Sequence, residues 1–187
     1  LKPYALKVDL ENPEISIHIE IRGNKAYVFE NSMQGPAGLP IGAGDKVLSL
    51  FSGGFDSPVA SWFVAKRGSR VNFLHLSFGG LSEVYPVFLV AKYLYNNWFF
   101  GHKPKFQVLR FSPIIKEILS KLPSMIWQVA LRRMMYVAAE RVSLENGEEA
   151  IVTGESLSQA TSQTLRNLRV AEHNISLPIL RPLIGFD

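Results

Sequence analysis

The string Ser52-Gly53-Gly54-Phe55-Asp56-Ser57-Pro58 lies between an apolar run, Val47-Leu48-Ser49-Leu50-Phe51, and a helical pattern that begins at Val59. A strand that hands a glycine turn to a helix N-terminus gathers free N–H groups and the positive end of the helix dipole at one point, which makes an anion site. Gly53 and Gly54 permit positive φ and close backbone approach, and Ser52 and Ser57 add hydroxyl donors. Asp56 is unsuited to touch a phosphate directly, so its expected partner is Mg²⁺ carried by the phosphates. Pro58 suits the first helical position, where a missing N–H costs nothing. The string therefore predicts a pyrophosphate-binding loop. An ordinary strand–turn–helix connection draws on the same residue types; the full string in this context is what separates the two. The other common phosphate loop, G-x-x-x-x-G-K-S/T, does not occur, and Gly42-Ala43-Gly44 lacks the third glycine of a dinucleotide fingerprint.

The elements that must position this loop are legible as alternating strands and helices. Strand Val47–Phe51 leads to a helix over Pro58–Arg67, with Gly68 as its stop. Strand Arg70–Leu76 and a helix near Glu83–Phe99 follow, then strand Lys105–Phe111 and a helix Ile114–Lys121 ended by Pro123. A long helix, Trp127–Leu144, carries Arg132, Arg133 and Arg141 on an otherwise apolar surface. Strand Ala150–Thr153 precedes Gly154-Glu155-Ser156 and a helix running to about Leu168, whose start would be a second anion-friendly end. Glu155 either caps that helix or acts chemically. Leu177–Leu183 is a candidate fifth strand weakened by Pro178 and Pro182. Such alternation predicts an α/β fold, a Rossmann-like parallel sheet with helices on both faces and ligands at the carboxyl ends of the strands. Phe51/Ser52, Leu76/Ser77 and Thr153/Gly154 all fall at such ends.

The first 45 residues read differently. Ile15 to Ile21 alternates as a half-buried strand, and Gly23-Asn24 turns it into a second strand, Lys25–Phe29. A breaker-rich stretch from Gln34 to Gly44 reads as a linker. Three segments result: β-rich residues 1–32, a linker 33–45 and a main domain 46–187. The start at Leu1 rather than Met suggests a missing N-terminal portion.

Composition narrows the chemistry. Across 187 residues, 47% hydrophobic and 19% charged content excludes global disorder. A net charge of +4 weakly favours polyanionic partners. With no cysteine, disulfides, thiolate metal sites and a thiol nucleophile are impossible within these residues. The histidines at 18, 75, 102 and 173 lack metal-ligand spacing. The apolar stretch Val84–Val90 is interrupted by Pro86 and closed by Lys92, too short for a bilayer, and no leader pattern is visible; the expected location is the cytoplasm, without a membrane partner.

Ser52–Ser57 resembles the S-G-G-x-D-S signature of the PP-loop ATP pyrophosphatase superfamily. Pro58, Arg132-Arg133-Met134-Met135, Gly154-Glu155-Ser156-Leu157-Ser158-Gln159-Ala160-Thr161-Ser162-Gln163-Thr164-Leu165 and Leu180-Arg181-Pro182-Leu183-Ile184 narrow this. Together they are similar to the adenylating tRNA 4-thiouridine synthetases. Glu11-Asn12-Pro13-Glu14 and the strands after it look like the end of that family's RNA-binding THUMP domain, and Gly38-Leu39-Pro40-Ile41-Gly42 like its junction with a catalytic domain that continues past Asp187. The resemblance implies ATP and Mg²⁺ as cofactors. ATP contacts would fall at Leu50, Phe51, Ser52, Gly53, Gly54, Ser57, His75, Leu76, Arg132 (Arg133 its rival), Gly154 and Gln163, with Asp56 and Arg132 as the catalytic pair. It also implies adenylation of O4 of the uridine at position 8 of tRNA, followed by displacement of AMP by sulfur.

Family members carry that sulfur as a cysteine persulfide, which these residues cannot form, so a cysteine desulfurase or another persulfide carrier is the expected donor. A homodimer and a link to thiamine thiazole synthesis are further implications. The alternatives are another PP-loop enzyme adenylating a different substrate, and a non-catalytic ATP- or RNA-binding fragment. Cys-x-x-Cys pairs expected of a 2-thiocytidine synthetase are absent.

Overall fold

The computed structural model describes residues 8–186. Residues 1–7 of the expected THUMP-like segment, and Asp187, lie outside that range. Residues up to Ala37 and residues from Gly38 onward form two compact units.

In the first unit, β1 (His18–Arg22) and β2 (Lys25–Phe29) pair antiparallel, with Arg22 opposite Lys25 across the Gly23-Asn24 turn. Gly23 takes a φ of 59°, which a residue without Cβ adopts at no steric cost. The expected half-burial is not met: every residue of both strands is exposed, Ile19 and Ile21 included. The strand also begins at His18 rather than Ile15. Two strands alone have no second layer against which to bury one face.

The second unit is the expected α/β sheet. In chain order it comprises β3 (Lys46–Leu50), α1 (Asp56–Ala65), β4 (Arg70–Ser77), α2 (Leu81–Trp98), β5 (Phe106–Arg110), α3 (Ser112–Lys121), α4 (Trp127–Asn146), β6 (Ala150–Val152), a 3₁₀ turn (Thr161–Gln163), α5 (Leu165–Ala171) and β7 (Ile179–Leu180). The strands are parallel in the order β5-β4-β3-β6-β7. Period-two alternation sends Val47, Val71, Phe73 and Val152 against Ala60 and Val64 of α1 and Val87, Ala91 and Leu94 of α2. It sends Leu48, Leu74, Leu76 and Ile151 against Ala139, Met135 and Val142 of α4 on the other face. Each such fully buried aliphatic or aromatic side chain contributes roughly 1.5–3 kcal/mol, so this double coverage is what makes the strands near-continuous apolar runs.

Three local expectations are corrected. Helix α1 starts at Asp56, not Pro58, so Pro58 is its third residue, still within the first turn, where the N–H it lacks would have had no intrahelical acceptor. No helix follows Gly154: the chain runs as an open loop, with Ser158 at φ 64°, to the 3₁₀ turn and α5. The fifth strand shrinks to Ile179–Leu180 between its prolines, yet Thr153 N–H still donates to Leu180 O at 3.0 Å.

At the amino end of the strands, Asn72 Nδ2 donates to Glu148 Oε1 (2.7 Å), and Lys105 N–H donates to Asn72 Oδ1 (3.0 Å). Burial pushes the Glu148 carboxyl above its ordinary range, opposed by the Asn72 bond and by Lys105. A carboxyl raised in the folded state holds its proton more tightly there, so stability falls as pH rises through the folded value. Glu148→Gln keeps the acceptor for Asn72 and removes that charge. The expected result is a variant more stable than the parent at neutral pH, with the difference closing below about pH 4. Thermal unfolding of both proteins across that range checks it.

Candidate functional site

The strand order reverses at β3: the chain proceeds outward to β4 and β5 on one side and to β6 and β7 on the other. The carboxyl ends of β3 and β6 therefore lie side by side with their connections leaving in opposite directions, and in such sheets a crevice opens there. A cavity of about 500 Å³ occupies this point, well within the size of small-molecule sites, about 300–1,000 Å³. Leu50, Phe51, Ser52, Gly53, Asp56, Ser57, His75, Leu76, Arg132 and Gly154 all line it. Of the residues singled out from sequence, Gly54 and Gln163 do not. Gly54 sits in the same loop, whereas Gln163 is turned into its own 3₁₀ turn, its Oε1 accepting from Ala160 N–H at 2.9 Å.

Serines shape the loop. Ser57 Oγ accepts from Ser52 N–H (2.9 Å), closing the turn, and Ser61 Oγ donates to Ser57 O (2.7 Å). Ser61 in turn meets Ser49 Oγ at 2.8 Å inside the core, tying β3 to α1. Neither Gly53 nor Gly54 takes a positive φ, so left-handed backbone is not their reason here. A Cβ on Gly53 would meet only Val87 Cγ2 at 3.5 Å; what Gly53 provides is bare backbone at the cavity. Gly154 is different. A Cβ there would sit 2.7 Å from the carbonyl carbon of Asp56 and from Ser57 N, so the loop after β6 packs backbone-to-backbone against the first turn of α1.

Asp56 is exposed in that first turn, where the helix dipole favours a carboxylate. Among the described residues no three His, Cys, Asp or Glu side chains gather around an ion. A lone carboxylate beside a phosphate loop fits Mg²⁺, which keeps its waters and binds one or two carboxylates together with substrate phosphates. Leu50, Phe51, Leu76, Phe78, Val87 and Met135 form an apolar wall suited to a flat ring. His75 Nδ1 lies 3.0 Å from Phe51 O, and since a carbonyl only accepts, this nitrogen carries the proton. Its Nε2 is buried without a hydrogen-bond partner among the described residues, 3.8 Å from Glu83 Oε1.

The opposite wall is a charged cluster. Glu155, 5% exposed, is engaged by Arg132, by Arg181 Nε (2.6 Å), by Thr153 Oγ1 (3.0 Å) and by the Tyr136 hydroxyl (2.6 Å). It does not cap a helix. Arg181 also reaches Glu172 (2.6 Å), and Arg132 Nη2 donates to Ser162 Oγ (3.0 Å). Burial lowers Arg132 from its ordinary value, with Tyr136 opposing and the Arg181 charge adding to the effect; an arginine remains protonated throughout. Burial likewise raises the Tyr136 hydroxyl. Arg132 Nε is buried with no acceptor among the described residues; leaving such a donor unmet costs about 1–3 kcal/mol, which fits a site for an anion. Arg133, the sequence rival, instead points its Nη1 at the carbonyls of Val170 and His173, away from the cavity lining. Sequence reading missed Tyr136 and Glu83. The signals were there: Tyr136 is four residues from Arg132 on one helix face, and Glu83 lies in the first turn of α2.

The sequence profile of the thiamine biosynthesis protein (ThiI) family matches residues 42–187, and that of the THUMP domain matches residues 1–30. The chain belongs to the ThiI family. It is 50% identical over 189 residues to a tRNA sulfurtransferase of Desulfurococcus amylolyticus, covering 100% of this chain and 39% of that protein. It is 44% identical to a probable tRNA sulfurtransferase of Sulfurisphaera tokodaii, covering 100% of this chain and 50% of the relative. The chain thus spans between 39% and 50% of the length of these ThiI relatives. Among solved structures, a 4-thiouridine synthetase in complex with RNA and bound ATP matches with a TM-score of 0.86 and 32% identity, over 97% of this chain and 48% of that one. The tRNA thiolase NcsA from Methanococcus maripaludis, at 17% identity and a TM-score of 0.51 over 76% of this chain and 53% of its own, shares the fold. Among the described residues of this ThiI-family chain, no helix is long and apolar enough to cross a membrane.

The backbone contact at Gly154 yields a direct expectation. Gly154→Ala must push the β6 loop off the first turn of α1, because the atoms it meets are backbone and cannot swing aside. Destabilisation of about 1–3 kcal/mol is expected, with weaker binding of inorganic pyrophosphate; denaturant titration and calorimetry measure the two.

Proposed function

We propose that this chain forms the nucleotide-activating site of an adenylating tRNA sulfurtransferase. The observation that carries the reading is the convergence, on one cavity at the sheet's switch point, of the Ser52–Ser57 loop, Asp56, an apolar wall and Arg132. Support also comes from the likeness to the ATP- and RNA-bound 4-thiouridine synthetase. In this reading the free N–H groups of the loop and the start of α1 hold the β- and γ-phosphates of ATP, and Ser57 keeps the loop closed around them. The α-phosphorus then faces the open side of the cavity. O4 of a tRNA uridine attacks there, the bond to the β-phosphate breaks, and AMP is transferred while pyrophosphate leaves.

Arg132 offsets charge that develops on the transferring phosphoryl group. Asp56 would hold Mg²⁺ on the phosphates; bound there, the ion neutralises charge on the departing pyrophosphate. A helix dipole is worth only about 0.3–2 kcal/mol per favourable contact, too little for that task alone. These residues carry no thiol, so the sulfur that later displaces AMP comes from a cysteine or carrier outside them. The THUMP-like hairpin is assigned to tRNA contact, and the cytoplasm is the assigned location.

The full-length protein is expected to catalyse ATP–pyrophosphate exchange that depends on unmodified tRNA. ATP binding without exchange would favour a passive nucleotide-binding role, and exchange with another acceptor would favour a different adenylating enzyme. Asp56→Ala is expected to abolish exchange while the melting temperature stays within a few degrees, since the side chain is exposed. Normal turnover by that variant would overturn the metal assignment.

A further inference from the structure

We propose that Glu155 is the positioning residue of this site: its carboxylate sets the Arg132 guanidinium at the cavity wall and keeps it there. The inference rests on the adenylation reading above, and it assigns to Glu155 a task distinct from phosphate contact. Arg132 reaches the cavity from α4 on a long side chain with considerable rotamer freedom. Glu155 removes that freedom only if it is itself immobile, and three other groups make it so. Arg181 Nε binds Oε2 at 2.6 Å, the Thr153 hydroxyl binds the same oxygen at 3.0 Å, and the Tyr136 hydroxyl lies within 2.6 Å. Arg181 is in turn braced by Glu172 at 2.6 Å and by the Tyr136 oxygen at 3.1 Å.

Arg132 is thereby fixed at two of its three nitrogens, by Glu155 at Nη1 and by Ser162 at Nη2. Its Nε is the donor left without an acceptor among the described residues. Glu172 pairs with Arg181 as well, so the cluster is balanced in charge, and what an anion in the cavity meets is the unmet Nε–H of an arginine already oriented. Preorganisation of this kind avoids reorientation at the moment of reaction.

The test is a double-mutant cycle in the full-length protein on Glu155→Gln and Arg132→Ala, read by tRNA-dependent ATP–pyrophosphate exchange and by calorimetric ATP binding, with unfolding followed in parallel. Glu155→Gln is expected to lower kcat/KM on the order of 10- to 100-fold, the cost of a misplaced group near the chemistry. In the Arg132→Ala background it is expected to add nothing, because the two residues act as one unit. An unchanged kcat/KM in Glu155→Gln, or the same loss in both backgrounds, would leave Glu155 a stabilising residue and overturn the proposal. Should Glu155→Gln fail to fold, Thr153→Val replaces it: loss of one hydrogen bond to the carboxylate is expected to cost about threefold to tenfold, again only when Arg132 is present. A parent protein that binds ATP without exchange would sink the adenylation reading alone, and the same cycle on binding affinity would then decide the role of Glu155. A parent that does neither overturns both.

Discussion

The buried carboxylate of Glu155, held between Arg132 and Arg181, is the interaction on which the rest of this site depends. It joins α4, the end of β6, the loop after it and the residue following β7 at a single point. Groups so far from solvent are costly to bury, and their mutual attraction offsets that cost only with good geometry and satisfied hydrogen bonds. Here both carboxylate oxygens are engaged, which meets that condition. Removing one partner from such a cluster typically costs about 3–5 kcal/mol, because the remaining charge is left buried alone.

Across the cavity the other wall is built on different physics. The Ser52–Ser57 loop carries no buried charge; hydroxyls close it, and its backbone, with the dipole of α1, suits an anion. The two walls meet where Gly154 lies against Asp56 and Ser57 with no room for a side chain. Their separation is thus set by backbone contact between β6 and α1, both anchored to the same central strand, β3. A wall with one unmet arginine donor and a donor-rich loop on one rigid sheet suit a polyphosphate, and the apolar residues between them suit a flat ring.

Most of the fold was legible because the strands are buried on both faces and the helices are long and patterned. Strand and helix positions read from composition and breakers agree with the structure to within a few residues from Lys46 to Val152. Agreement fails where tertiary contacts override local tendency. The stretch after Gly154 reads as a helix start, but Glu155 is drawn into the buried cluster and Ser158 adopts a left-handed backbone, so the chain stays open. The hairpin alternates as if half-buried, yet alternation describes a face and not what covers it.

By itself the sequence determined the chemistry on offer: a loop suited to an anion with a carboxylate in it, a candidate arginine on a helix, no thiol, and a sheet to hold them. Those properties are local, resting on residue type, spacing and backbone preference over a few neighbours. Only the tertiary structure decided that Arg132 rather than Arg133 faces the cavity, that Gln163 does not line it, and that Glu155 is a buried anchor. Gln163 is turned away by a bond only three residues long, to Ala160 N–H; the other two outcomes depend on groups brought together across tens of residues, where packing and desolvation select one partner among several that the pattern allows equally.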